Sequence, residues 1–230
     1  MQNFDYVKRN FDELSGEIEL LGKKYSEKTP TLVCVTKSAE DDEVVSLVKA
    51  GATDIGENRP QMLLAREFLL ASHGVSARLH EIGNLQKNKV RHIIDRAALI
   101  HSLDSSELAE KIDKEAERAG IVMPVLIEIN SAREIAKGGV MPEDAEGLAR
   151  LVRGLKNLRL SGIMTMGPVT DTPEEMRPYF RMTKNLFDAI GESIGYFGEG
   201  ILSMGMSDSY RVAIEEGSTL VRVGRKLFTK

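Results

Sequence analysis

The chain has a single cysteine, Cys34. An intrachain disulfide is therefore excluded, and a reducing, cytoplasmic setting is expected. An excess of charge is also missing. The 31 Lys and Arg against 35 Asp and Glu leave −4, too little and of the wrong sign for bulk attraction to nucleic acid or an anionic membrane. No apolar run approaches the length that spans a bilayer, and the polar N-terminus lacks the apolar core of a signal peptide. No linker or low-complexity segment interrupts the chain. His73, His92 and His101 stand far apart, without the cysteines or spaced acids of a metal site. What remains is ordinary globular composition, 42% apolar and 29% charged, over 230 residues, enough for one large domain or two small ones.

Apolar periodicity fills that length with a repeating unit. Residues 2 to 25 read as an amphipathic helix with the stripe Phe4, Val7, Phe11, Leu14, Ile18 and Leu21, expected to dock on the body of the domain. From Leu32 on, short strand-like runs alternate with helical stripes. The runs are 32–37, 54–58, 78–83, 98–103, 122–130, 158–166, 201–206 and 220–224. Asp104 with Glu107 reads as the cap of the helix after the fourth run, and Thr172-Pro173-Glu174-Glu175 as a second helix start. Eight such units without a composition break predict one (β/α)₈ TIM barrel over 1–230 with an extra N-terminal helix. An open doubly wound sheet is the rival.

In a closed barrel the chemistry gathers at the carboxyl ends of the strands, and the first strand neighbours the eighth. Lys37 ends the first run. A lysine at the rim of a core is expected to be poorly hydrated, which frees its amine for a Schiff base with an aldehyde. Arg222 and Gly224 end the eighth run, and Ser203-Met204-Gly205-Met206-Ser207 ends the seventh. Loops after the seventh and eighth strands, with glycine, serine and a following helix, suit a phosphate. An amine beside a phosphate cradle suggests one ligand bearing both an aldehyde and a phosphate, pyridoxal 5′-phosphate (PLP). An arginine facing its pyridine nitrogen would keep that nitrogen unprotonated and make the cofactor a weak electron sink. If Lys37 points into the lumen, Val33 and Val35 do too, and Cys34 faces the helices.

Several stretches then carry a resemblance. Val35-Thr36-Lys37, Gly56-Glu57-Asn58, the run His80-Glu81-Ile82-Gly83-Asn84-Leu85-Gln86-Lys87-Asn88-Lys89, Gly162 to Met166, Leu202 to Ser207 and Val221-Arg222-Val223-Gly224 resemble, nearly end to end, the pyridoxal phosphate homeostasis proteins. These are similar to the fold type III barrel of alanine racemase without its second domain. The resemblance implies that Lys37 carries PLP and that Arg222 meets the pyridine nitrogen. It also implies that Ser203, Gly205, Ser207 and Gly224 surround the phosphate, where backbone groups near Met204 and Met206 are expected to join them, and that Asn58 and His80 flank the ring. The implied role is storage, protection and delivery of PLP in the cytoplasm, with PLP-requiring apoenzymes as partners, by a monomer or weak homodimer without a strong activity of its own.

Two residues depart from the family pattern. Arg225 replaces a usual threonine and is expected to serve the phosphate as a cation. Glu81 replaces an apolar residue and, facing a helix, needs a partner. Met164, Met166, Met204 and Met206 read as core filling, and Lys87, Lys89, Arg91 and His92 as a solvated helix face. A PLP-dependent amino-acid racemase is the competing activity. It needs a second proton carrier opposite the lysine, and none of the five tyrosines follows a strand directly. With the chain ending at Lys230, no second domain is expected to supply one. A lysine aldolase that forms a Schiff base with its substrate is the third possibility.

Overall fold

The computed structural model describes residues 4–26, 28–134, 137–195, 197 and 200–230. The strands are β1 Thr31–Val35, β2 Asp54–Glu57, β3 Arg78–Glu81, β4 Leu99–Leu103, β5 Met123–Ile129, β6 Leu158–Thr165, β7 Ile201–Ser203 and β8 Leu220–Val223. They form a closed barrel in sequence order, every neighbouring pair parallel. The closed form therefore holds over the open sheet. The seam is four register pairs long, Thr31↔Leu220 to Cys34↔Val223. It closes because β1 and the outer face of β8 are apolar, so an edge left open would expose them to water.

Helices cover the outside: α1 Asp5–Tyr25, α2 Asp41–Lys49, α3 Pro60–Ser72, α4 Val90–Ile93, α5 Ser106–Ala119, α6 Ala145–Gly154, α7 Arg177–Ile194, α8 Tyr210–Glu215 and α9 Arg225–Phe228. The stripe of α1 docks as its spacing predicts. Val7, Leu14 and Ile18 are buried with Cys34, Leu47, Tyr210 and Val223. Cys34 thus faces the helices, and burial pushes its thiol pKa up. Inside the barrel Val33, Leu99, Leu126, Met164 and Leu220 form a separate apolar plug, as lumen parity requires.

Two helix starts differ from the sequence reading. Ser105, not Asp104, is the N-cap of α5, and its hydroxyl donates to Asp104 Oδ1 at 3.1 Å. Thr172 precedes a 3₁₀ turn, Pro173–Met176, without a side-chain cap bond, and α7 begins after that turn. Every strand except β4 also stops one to three residues before its apolar run does. Pairing ends where the neighbour runs out: β1 meets β2 at Cys34↔Ile55 and Val35↔Gly56 and no further. The residues left over become the loops at the carboxyl end.

Between β5 and β6 the register shifts, with Val125↔Leu160 followed by Leu126↔Gly162. Ser161 is the extra residue. Gly162 lies at φ +153°, and a Cβ there would sit 1.8 Å from the Ile201 carbonyl oxygen of β7. Gly162→Ala is expected to cost about 3 kcal/mol or more through overpacking and strain. Urea unfolding would read this as a lowered midpoint at unchanged slope.

Candidate functional site

At the carboxyl end of the barrel, β1 hands over to a turn at Lys37 and Ser38. Lys37 is exposed there, so the expected poorly hydrated rim is not found. The strand ends at Val35, buried Thr36 intervenes, and the turn lifts the lysine clear of the core. Its neighbour across the seam is the end of β8. A Cβ on Gly224 would lie 2.9 Å from the Val35 carbonyl oxygen, so only glycine lets the two strand ends approach this closely. The loop after β7 is tied to the same place. Arg222 N–H donates to the Gly205 carbonyl at 3.0 Å and Gly224 N–H to Ser207 Oγ at 3.3 Å. Gly205, Ser207, Gly224 and the Lys37 turn thus share one mouth. Asn58, just past β2, is half-buried, and its carbonyl packs against Gly83 of the next loop.

Two residues outside the predicted set hold the Lys37 turn. Thr36 Oγ1 donates to Glu57 Oε1 at 2.6 Å. Arg66, on α3, donates from Nε to the same oxygen at 3.1 Å, to the Thr36 and Ala39 carbonyls at 3.2 and 2.9 Å, and to Asp41 at 2.5 Å. Arg66 is buried. It occupies the i+3 position between Leu63 and Leu70 in the apolar stripe of α3. A cation in that stripe is the signal that a carboxylate waits beneath it.

The lumen above the apolar plug is polar. Arg222 is buried, and its guanidinium donates to the Thr165 carbonyl at the end of β6 (3.0 Å) and to Ser203 Oγ (2.5 Å). Burial lowers its pKa to about 10, partly offset by Glu128, so it stays a cation at neutral pH. Ser203 Oγ lies 3.2 Å from His101 Nδ1, His101 Nε2 lies 3.0 Å from His80 Nδ1, and His80 Nε2 lies 2.8 Å from Asp54 Oδ1.

Several of the predicted side chains already have partners within the protein. The Ser203 hydroxyl is turned into the lumen and engaged by Arg222 and His101. Both ring nitrogens of His80 are engaged below the mouth, and the ring lines a cavity at the amino ends of the strands. Met204 is fully buried in the core between strands and helices. The Arg225 guanidinium is paired with Asp208 of the loop after β7. Met166 and Met206, read as core, are partly exposed past their strand ends, whereas Met164 and Met204 are core as expected. Lys87, Arg91 and His92 are exposed and Lys89 half-buried, a solvated face as read. Among the described residues no group of His, Cys, Asp or Glu is arranged to hold a metal.

Sequence reasoning also missed Glu128. It is buried at the end of β5, where burial and the Asp104 carboxylate push its pKa to about 7 against the pull of Arg222. A lone carboxylate in the most apolar run was the available signal. Glu81, whose partner the sequence left open, accepts from Gly83 N–H at 3.2 Å. Its other oxygen, and Oε2 of its register partner Glu57, are buried without a hydrogen bond among the described residues. Burial and repulsion from Glu57 raise Glu81 from 4.5 to about 8, although the Gly83 bond lowers it.

The alanine racemase N-terminal domain family matches residues 10–229. The pyridoxal phosphate homeostasis protein of Aquifex aeolicus is 36% identical over 228 residues, covering 99% of this chain and 98% of its own. The structure of PipY of Synechococcus elongatus with PLP bound superposes with a TM-score of 0.85 at 25% identity, covering 97% of this chain and 100% of that one. An alanine racemase of Clostridium difficile shares the fold, with a TM-score of 0.77 at 17% identity, covering 99% of this chain and 59% of that one.

The Glu81 environment generates a pH dependence. A carboxyl raised from 4.5 to about 8 contributes its full stability below pH 4.5 and loses it as pH climbs toward 8, because the unfolded chain releases the proton first. Glu81→Gln removes that titration. The variant is expected to gain on the parent in urea midpoint between about pH 5 and about pH 8, by on the order of a few kcal/mol. A gap that does not change with pH would contradict the assignment.

Proposed function

The chain belongs to the pyridoxal phosphate homeostasis proteins, built on the alanine racemase N-terminal barrel, and on that premise we propose that it holds PLP on Lys37 for storage and delivery in the cytoplasm. The observation that carries this reading is the β1–β8 seam, which brings an exposed lysine, a buried guanidinium and glycine- and serine-bearing loops to one mouth. The donor set suits the ligand. An amine answers an aldehyde, an arginine answers an unprotonated ring nitrogen, and the backbone of Gly205 and Gly224 with the Ser207 hydroxyl answers a phosphate. Asn58 stands at the same mouth to flank the ring, and Arg225, with Asp208 beside it, adds a cation at the edge. The relative with PLP bound supports the same assignment.

In this reading the Lys37 amine would hold PLP through its aldehyde, and Arg222, Ser207, Gly205 and Gly224 would orient the ring and phosphate around it. Bound PLP supplies electrophilic and electron-sink chemistry. Arg222 remains a cation at neutral pH, so it leaves the ring nitrogen unprotonated and that sink weak. The role is therefore holding rather than turnover. A link formed at an exposed turn is open to attack by the lysine of an incoming apoenzyme, which suits delivery. No helix among the described residues is long and apolar enough to cross a membrane.

Added PLP is expected to give a visible absorbance band that Lys37→Ala abolishes. Arg222→Ala is expected to keep the band while losing PLP to a competing apoenzyme about tenfold to a hundredfold faster. Loss in Arg222→Ala equal to that in Lys37→Ala would contradict these roles. Alanine racemisation above the free-cofactor background would replace holding by racemase activity.

A further inference from the structure

The contacts beneath Arg222 form a continuous line across the lumen. It runs from Thr165 at the carboxyl end of β6 to Asp54, the first residue of β2. Asp54, His80, His101, Ser203 and Arg222 are all buried, with His101 and Ser203 fully so. Each contributes its side chain from a different strand: β2, β3, β4, β7 and β8. Such a line costs desolvation at every member unless each polar atom is satisfied.

Donor chemistry gives the line a direction. A guanidinium only donates, so Ser203 Oγ accepts from Arg222. Where the Ser203 proton goes to His101 Nδ1, its other partner, the rest of the line follows. With Nδ1 accepting, His101 carries its proton on Nε2 and gives it to His80 Nδ1. His80 in turn donates from Nε2 to the Asp54 carboxylate. In this sense of the line both rings are neutral Nε2–H tautomers. Only the Arg222–Ser203 bond has its direction fixed by the donor alone, since a guanidinium has no lone pair; a serine oxygen has two, so the sense of the bonds beyond it belongs to the inference.

The two ends are charged and of opposite sign. Burial alone would raise the Asp54 carboxyl, but hydrogen bonds from His80, Arg78 and Thr53 outweigh it and hold it at about 2. A full negative charge therefore stands at the lower end. There the Asp54 carboxylate and the His80 ring line a cavity of about 860 Å³ at the amino ends of the strands. The members between are then polarised in one sense, from cation to anion. Burial, with Arg222 nearby, holds His101 far from the charged form.

We propose that Asp54, His80, His101 and Ser203 are positioning residues for Arg222, forming a one-way hydrogen-bonded column that anchors the guanidinium at the mouth to a carboxylate at the opposite end of the barrel. The column fixes which face of the guanidinium is spent inside the protein and which is presented to a ring nitrogen. It rests on the reading that Arg222 meets the pyridine nitrogen of PLP. Asp54, distant from the mouth, thereby influences how firmly the mouth holds its ligand.

Two measurements test this. Nitrogen-15 spectra of the histidine side chains in the protein without PLP should show His80 and His101 neutral and protonated on Nε2. A cationic ring or an Nδ1–H tautomer at either position overturns the column. In the PLP-loaded protein, Asp54→Asn keeps an acceptor for His80 but removes the charge, and His101→Phe cuts the line. Both should release PLP about tenfold faster to a competing apoenzyme. Both should also move the nitrogen-15 shift of labelled PLP, while the Lys37 absorbance band persists. Release within twofold of the parent with an unmoved ring-nitrogen shift overturns the proposal. Should His101→Phe fail to fold, Asp54→Asn and the tautomers decide. If the unaltered chain takes up no PLP, the functional reading fails and the proposal with it. The tautomers, read without cofactor, separate that failure from failure of the column.

Discussion

Everything at the mouth depends on the parallel pairing of β1 with β8. Without that seam, residue 37 and residue 222 belong to opposite edges of a sheet. With it, Gly224 lies against Val35, and the loop after β7 is drawn in by Arg222 N–H and Gly224 N–H. The seam is stabilised by what flanks it. Leu47, Tyr210, Val221 and Val223 bury its outer face together with α1, while Val33 and Leu220 join the lumen plug. The extra N-terminal helix is therefore part of closure: it covers the apolar strip where the chain's two halves meet.

Above the plug the barrel carries charge where most barrels carry branched aliphatics. Two systems share that burden and do not mix. On the helix side of β2 and β3, Arg66 neutralises Glu57 and braces Thr36, which fixes the Lys37 turn. On the lumen side, Asp54 and Arg222 face each other along the strands with His80, His101 and Ser203 between them. The parity of β2 separates the two: Asp54 points inward and Glu57 outward, an odd number of residues apart. One short strand thus supports both the amine and the guanidinium.

An exposed lysine and a buried arginine divide the work between them. Burial fixes the guanidinium within a network, so its geometry is set before any ligand arrives. Exposure leaves the amine reachable from solvent. Under the proposed function that asymmetry suits a carrier, since a catalyst gains from excluding water around its reacting bond.

Much of this was legible in the order of residues. Eight apolar runs separated by helical stripes specified a barrel, because period-two and period-3.6 burial leave different marks. The glycines, serines and basic residues after the seventh and eighth runs marked the mouth, since the fold places anion loops there. The docking stripe of α1 and the outward Cys34 followed from spacing alone. Tertiary structure decided what each side chain does once it arrives. Ser203 and His80 are spent inside the lumen, Arg225 is paired with Asp208, and Lys37 is exposed. Those outcomes turn on which atoms from other strands lie within three ångströms. Strand stagger around a closed barrel sets that distance, and no single stretch of sequence carries it.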